Sequence, residues 1–249
     1  MKLKTSISKI EKNKIILKGY SIEDLMQGRS FPEVIFLTWF NRFPDDRELK
    51  MFNAILVSSI DHGYSPPSVN VTRILGSVRA PIGTAVGGGL SAITDVHGGA
   101  VERAAEVFKE WGDKEGTVED KAVKLVQTYK REGKRISGFG HRLHSEDPRS
   151  KKLIELAQEN GFASKYLPFA LAIEEYFKSR NKQLPLNVDG AIAAVIVEMG
   201  LPASFGKAFF MLSRMVGLVA HYVEEVENER PMRKFITAST LYEGPWERK

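Results

Sequence analysis

A chain of 249 residues with 43% apolar and 27% charged side chains can bury a sizeable core and has an ordinary globular composition. It has no cysteine, which excludes disulfides, thiolate metal sites and a cysteine nucleophile. The formal net charge is +5, but the basic residues are scattered among acidic ones and no nucleic-acid motif is present. A solvated surface with mild lysine excess is therefore favoured over nucleic-acid binding, and a small polyanionic substrate is compatible. The start, MKLKTSISKIEKNK, has no apolar run of the signal-peptide kind. No stretch reaches the roughly 18 uncharged apolar residues of a membrane span. A cytoplasmic protein with no membrane partner is expected.

In chain order, Lys14 to Lys18 (KIILK) reads as a short strand, and the pattern is helical nearly throughout after it. Ser21 reads as an N-cap with Glu23 and Asp24 in the first turn. Phe31 to Phe40 has a proline at an early helix position and apolar residues at helical spacing. Asp45 to Ile60 is amphipathic through Leu49, Phe52, Ile55, Leu56 and Ile60. Pro66 and Pro67 open a helix to about Ser77. Pro81 to Thr94 is rich in glycine and alanine, which lets a neighbour approach closely. Further helices are predicted at about 99–111, 118–132, 148–160, 165–178, 190–199 and 203–226, the last two being the most apolar. The class is all-α over 1–249. A smaller lobe within about 98–200 is allowed for, although no Pro/Gly-rich linker marks it.

Five histidines are present, and three have glycine neighbours near a helix end: His62 in DHG, His97 in HGG and His141 in GFGHR. Any one alone reads as a turn histidine with local hydrogen bonds; three together make a shared site more plausible. His141 and His144, with Glu146 and Asp147 nearby, lack any metal-ligand signature, so no metal is expected. No GxSxG elbow, P-loop or GxGxxG is present. Asn187-Val188-Asp189-Gly190 reads as an Asx-type N-cap that also sets a carboxylate at a buried helix start, where it could serve as general acid or base. Arg149 opens a helix, an unfavourable place for a cation unless an anion is near. Arg214 lies in an apolar helix, where a buried arginine needs an anionic partner.

Taken in order, GYSIEDL, DHG, HGGA, GFGHR, DPR, NVDG and SRMVGLVAH followed by Glu229-Arg230-Pro231 resemble the citrate synthase superfamily over about residues 6 to 234. Each motif is weak alone; the order and spacing make the set specific. The run from GYSIEDL through LTWFNRF to DHG is most similar to citryl-CoA lyases and the lyase module of ATP-citrate lyase. The long N-terminal helical region of full-length synthases and any ATP-grasp module are lacking, so ATP use is not expected.

The resemblance implies roles residue by residue. His97 stabilises the enol of acetyl-CoA, Asp189 is the base for the methyl proton, and His141 polarises the carbonyl of oxaloacetate. His62 binds substrate, Arg149 and Arg214 clamp carboxylates, and Arg230 reaches a neighbouring subunit's site, which implies a homodimer or higher homo-oligomer. The exposed Lys178, Arg180 and Lys182 are candidates for the phosphates of coenzyme A, with a solvated charged loop as the equal alternative. No cofactor is permanently bound; the coenzyme A thioester is substrate. Two departures pull apart. His97 is a synthase feature that ATP-citrate lyase modules lack, whereas Val101-Glu102 replaces the Asn-Glu common in synthases. The expected activity is cleavage of citryl-CoA to acetyl-CoA and oxaloacetate. The alternatives are citrate or 2-methylcitrate synthesis and, in another class, a non-catalytic ester-sensing or partner-binding relative.

Overall fold

The computed structural model of the protein describes residues 3–140, 146–235, 241, 243 and 244. Its described elements are three short strands, β1 (Ser8–Glu11), β2 (Lys14–Leu17) and β3 (Tyr20–Ser21), and eleven α-helices. These are α1 (Ile22–Gly28), α2 (Phe31–Phe40), α3 (Asp46–Ser58), α4 (Pro67–Ser77), α5 (Ile82–Ser91) and α6 (Ala100–Gly112), then α7 (Val118–Arg131), α8 (Pro148–Glu159), α9 (Tyr166–Ser179), α10 (Val188–Glu198) and α11 (Gly206–Asn228). A 3-10 turn, Ala203–Phe205, leads into α11. The all-α expectation holds, and the strand read at Lys14 to Lys18 pairs antiparallel on both sides, with β1 and β3.

Contacts divide the chain into two units, Met1–Ile60 with Thr94–Ser213, and Asp61–Ile93 with Arg214–Lys249. The stretch 98–200 lies wholly inside the first unit, joined there to the first sixty residues.

The first unit is organised around α10. Eight of the nine residues from Gly190 back to Val188 and on to Ile196 are apolar or glycine, and every residue of the helix from Gly190 to Val197 is buried. A helix apolar all round belongs at the centre of a core, and α6, α8 and α9 pack on it. Caps fix the surrounding helices. Asp45 accepts from the N–H groups of Arg47 and Glu48 at the start of α3, and Glu48 reaches back to the Asp45 N–H at 2.9 Å. Glu198 accepts from the N–H groups of Lys165, Tyr166 and Leu167, which satisfies the start of α9 from the far end of α10. An aromatic cluster of Phe36, Trp39, Phe52, Phe205 and Phe209 joins α2, α3 and the beginning of α11.

The second unit holds α4, α5 and the rest of α11 around Val69, Val86 and Leu218. The small-residue segment does what its composition predicts: a Cβ on Gly89 would stand 2.0 Å from Thr72 Oγ1, so α5 can lie this close to α4 only with glycine there. By length and composition, residues 203–228 are long and apolar enough to cross a membrane, although Lys207 and Arg214 interrupt any uncharged run there. One side of it, with Phe209, Arg214, Leu218 and Glu225, is buried, whereas Met215, Val216, Val219 and Val223 are exposed.

Candidate active site

In the first unit, three sequence motifs meet at one junction. The Phe139 segment pairs with Leu186 as an isolated antiparallel bridge. Gly140 N–H donates to the Pro185 carbonyl at 2.8 Å, and Asn187 N–H donates to the Gly138 carbonyl at 3.0 Å. Asn187 then works twice. Its Oδ1 accepts from Gly190 N–H at 3.1 Å, capping α10, and its Nδ2 donates to the Gly140 carbonyl at 2.8 Å. Two glycines make the approach possible. A Cβ on Gly190 would lie 2.3 Å from the Gly138 oxygen, and Gly138 itself has φ +90°. Asp189 sits between Asn187 and this contact, as the second residue of α10, half-buried.

The DPR motif closes the junction from a third side. Asp147 caps α8 and is 1% exposed. It accepts from the Arg149 backbone N–H and Nε at 3.0 Å each, from Arg149 Nη2 at 2.8 Å, and from Val188 N–H at 3.4 Å. Ser150 Oγ donates to the Leu186 carbonyl at 2.7 Å. Burial alone would raise the Asp147 pKa; the Arg149 bonds and charge outweigh it and hold the carboxyl below its ordinary value. Arg149 thus has its anion two residues away, in the chain itself. The same side chain borders an apolar groove of about 430 Å³ between α3 and α8, with Val57, Leu153 and Leu156 among its walls.

His97 ends a tight turn in which Thr94 and His97 exchange backbone hydrogen bonds of 2.9 and 3.0 Å. Asp95 in that turn is tied to Lys207 at 2.6 Å and to Arg103 at 3.1 Å, so α6 and α11 both hold it. The His97 ring meets Phe210 edge-on at 5.8 Å. The imidazole is half-buried on this turn. His141 and His144 lie outside the described residues; Gly140, just before His141, is anchored as above.

The second unit carries His62, Arg214 and Arg230. His62 is half-buried in a turn where Asp61 Oδ2 accepts from Gly63 N–H at 2.8 Å. Arg214 is 2% exposed, the largest fully buried side chain described. Arg230 is exposed just past α11. Beside them is a charged cluster the sequence reading did not find. Glu225, with no exposure, accepts from Arg73 Nε at 2.8 Å and from Arg233 Nε and Nη2 at 2.6 Å each. Burial opposes the charge on Glu225, and the two arginines overcome it, so its pKa falls below the ordinary value.

Lys178, Arg180 and Lys182 are exposed at the end of α9 and beyond it. Lys178 pairs weakly with Glu174 at 3.5 Å, and Arg180 lies over the Tyr176 ring at 5.4 Å. Among the described residues, no three His, Cys, Asp or Glu gather as metal ligands.

A family model described as citrate synthase, C-terminal domain, matches residues 1–59 and 39–234. The solved citryl-CoA lyase of Hydrogenobacter thermophilus is similar with a TM-score of 0.90 at 36% identity, over 99% of this chain and 96% of that one. The ATP citrate lyase of Methanothrix soehngenii, solved with citrate and coenzyme A, shares the fold with a TM-score of 0.84 at 23% identity, over 100% of this chain and 43% of that one. The ATP-citrate synthase beta chain protein 1 of Arabidopsis thaliana is 29% identical over 89% of this chain, which spans 37% of that relative's length.

Proposed function

Because the chain belongs to the citrate synthase family, we propose that it is a citryl-CoA lyase, cleaving citryl-CoA to acetyl-CoA and oxaloacetate. The observation that carries this reading is the end-to-end likeness to the Hydrogenobacter thermophilus lyase, which leaves almost nothing of either chain unmatched.

The chemistry suits the residues. His141 takes the proton of the citryl hydroxyl as the carbon–carbon bond breaks and the ketone of oxaloacetate forms. The bonding pair moves toward the thioester, giving the enol(ate) of acetyl-CoA, whose oxygen His97 stabilises by donating a hydrogen bond. Asp189 delivers a proton to the terminal carbon, which becomes the methyl group. His62, Arg149 and Arg214 hold the substrate carboxylates; arginine forks match carboxylates in a bidentate manner. Asp147 engages Arg149 through Nε and Nη2 and so fixes the orientation of the guanidinium. Lys178, Arg180 and Lys182 supply positive charge for the coenzyme A phosphates.

A homodimer is part of the proposal, with Arg230 reaching the neighbouring subunit's site. Its support is the apolar surface of the second unit. Met215, Val219 and Val223 recur every fourth residue on α11, with Val216 beside them, and all are exposed, as are Ile74 on α4 and Val78 just past its end. Apolar residues at this spacing on an exposed helix face mark an interaction surface. Sedimentation velocity at micromolar concentration is expected to show twice the chain mass.

The second reading, citrate synthesis, is favoured by the retention of His97. Incubation with citryl-CoA and mass spectrometry of the products separates the two. Acetyl-CoA and oxaloacetate establish the lyase, whereas citrate and free coenzyme A move the assignment to a synthase. Asp189→Ala is expected to abolish turnover while sparing coenzyme A ester binding; unchanged turnover would remove Asp189 from its role.

A further inference from the structure

Among the described histidines, His221 is the one to which the proposed mechanism gives no task. We propose that it is a positioning residue that fixes the Asp61-His62-Gly63 turn, and with it the direction in which His62 meets substrate. The proposal rests on the substrate-binding role read for His62.

The hydrogen bonds determine how the ring is used. Arg73 Nη1 lies 3.2 Å from His221 Nδ1. A guanidinium only donates, so Nδ1 is the accepting nitrogen. The proton is then on Nε2, which donates to Asp61 Oδ1 at 3.0 Å. Asp61 is engaged through both oxygens: Oδ1 by the ring and Oδ2 by the Gly63 N–H at 2.8 Å. His62 is the residue enclosed by that closure.

Arg73 is itself immobilised, which is what makes it a fixed reference for the ring. It is buried, bonded to Glu224 and to Glu225, and its guanidinium lies 4.5 Å from the centre of the Tyr64 ring. Tyr64 is the residue after Gly63, and its hydroxyl accepts from Arg233, which is also held by Glu225. The turn is therefore tied at Asp61 through His221 and at Tyr64 through the two arginines, one tie on each side of His62.

Two measurements test this. Nitrogen NMR of the histidine side chains in the unliganded protein is expected to show His221 as the Nε2–H tautomer, and to show the His62 ring signals shifted in His221→Phe. An Nδ1–H tautomer, or His62 signals identical to wild type, would overturn the proposal whatever the enzyme's reaction. In steady-state kinetics, His221→Phe is expected to raise KM for citryl-CoA about tenfold with a much smaller change in kcat, the scale of one positioned hydrogen-bonded contact. Binding of free coenzyme A should be unchanged. His221→Gln, which keeps a donor and an acceptor, should recover most of the loss. The double variant with Asp61→Ala should be no worse than Asp61→Ala alone, because both act through one turn. Additive losses, equal losses for free coenzyme A, or no recovery in His221→Gln would each sink it. Should His221→Phe not fold, Asp61→Ala on the exposed turn carries the same kinetic expectation. A wild-type protein that does not cleave citryl-CoA would fail the lyase reading alone and leave the NMR result to decide this one.

Discussion

The two units hold their candidate residues by opposite means. Around Asp189, the first unit uses mostly atoms that every residue has: the N–H of Gly140, the carbonyl of Pro185, the N–H and carbonyl pair of Asn187 and Gly138. The close approach of Gly138 to Gly190 then leaves no room for a side chain at either position. Around His62, the second unit uses side chains: Arg73, Arg233, Glu224, Glu225, Tyr64 and His221. Backbone held by excluded volume tolerates salt and acid but not a methyl group. Charged side chains tolerate small changes of shape but not a lost charge, because a buried ion left alone bears its full desolvation penalty.

The largest expected effect comes from removing the charge at the centre of the second arrangement. Glu225→Gln leaves Arg73, whose side chain is 4% exposed, with the more exposed Glu224 in place of its buried partner, and weakens the hold on Arg233. A loss of about 3–5 kcal/mol is expected, the usual range for breaking a buried pair from one side. Urea unfolding measures it, and an effect below about 1 kcal/mol would show that solvent reaches the pair and that the contrast is false. The pH dependence has a definite sign. Glu225 has a pKa lowered on folding. Its contribution is therefore present above the unfolded-state value of about 4.3 and is lost as pH falls through the lower folded value. Glu225→Gln should flatten that part of the acid limb. Asp147 behaves the same way, so part of the limb remains.

Gly190→Ala probes the first arrangement. Its Cβ would stand 2.3 Å from the Gly138 oxygen and 2.5 Å from Leu186 Cδ1. Overpacking of this kind costs about 1–3 kcal/mol and shifts backbone. Because Asp189 is adjacent, turnover should fall with stability, and the loss should be nearly independent of salt. Wild-type turnover in Gly190→Ala would mean that the junction does not fix Asp189.

Most helices were legible because their signals are local. Phe31 and Phe40 bound α2 as read, and the prolines at 67 and 148 open α4 and α8. The same holds for the Asn187 cap and for the breaks that carry His62 and His97. What escaped is what depends on distance along the chain. Arg73 and Glu225 are 152 positions apart, and neither lies in a motif that names the other. Gly138 and Gly190 were each visible as motif glycines, but their contact exists only in the folded chain. β1 has four exposed residues and no apolar alternation, so it forms through pairing with β2 rather than through a pattern of its own. The unit boundary between Ser213 and Arg214 falls inside α11, where no glycine or proline could announce it. Helix-dipole reasoning asks for an anion near Arg149, and its buried cap, Asp147, is one that only the folded geometry identifies.

The finest test separates the two tasks of Asn187. Asn187→Ala removes the α10 cap and the bond to the Gly140 carbonyl together, for a loss of about 0.5–2 kcal/mol by the measure of other caps. Asn187→Asp keeps a good cap, since aspartate accepts from the Gly190 N–H as well as asparagine does. It replaces the Nδ2 donor with an oxygen that faces the Gly140 carbonyl, so the 2.8 Å bond becomes a repulsion. The aspartate variant should therefore lose only about 1 kcal/mol or less of stability. Its turnover should nevertheless fall as far as that of the alanine variant, because the Gly140 segment that leads into His141 is released in both. If turnover instead follows stability, high in Asn187→Asp and low in Asn187→Ala, then the helix cap is what matters and the side-chain bridge to Gly140 is incidental. The first unit would then rest on backbone contacts even more completely than its glycines suggest.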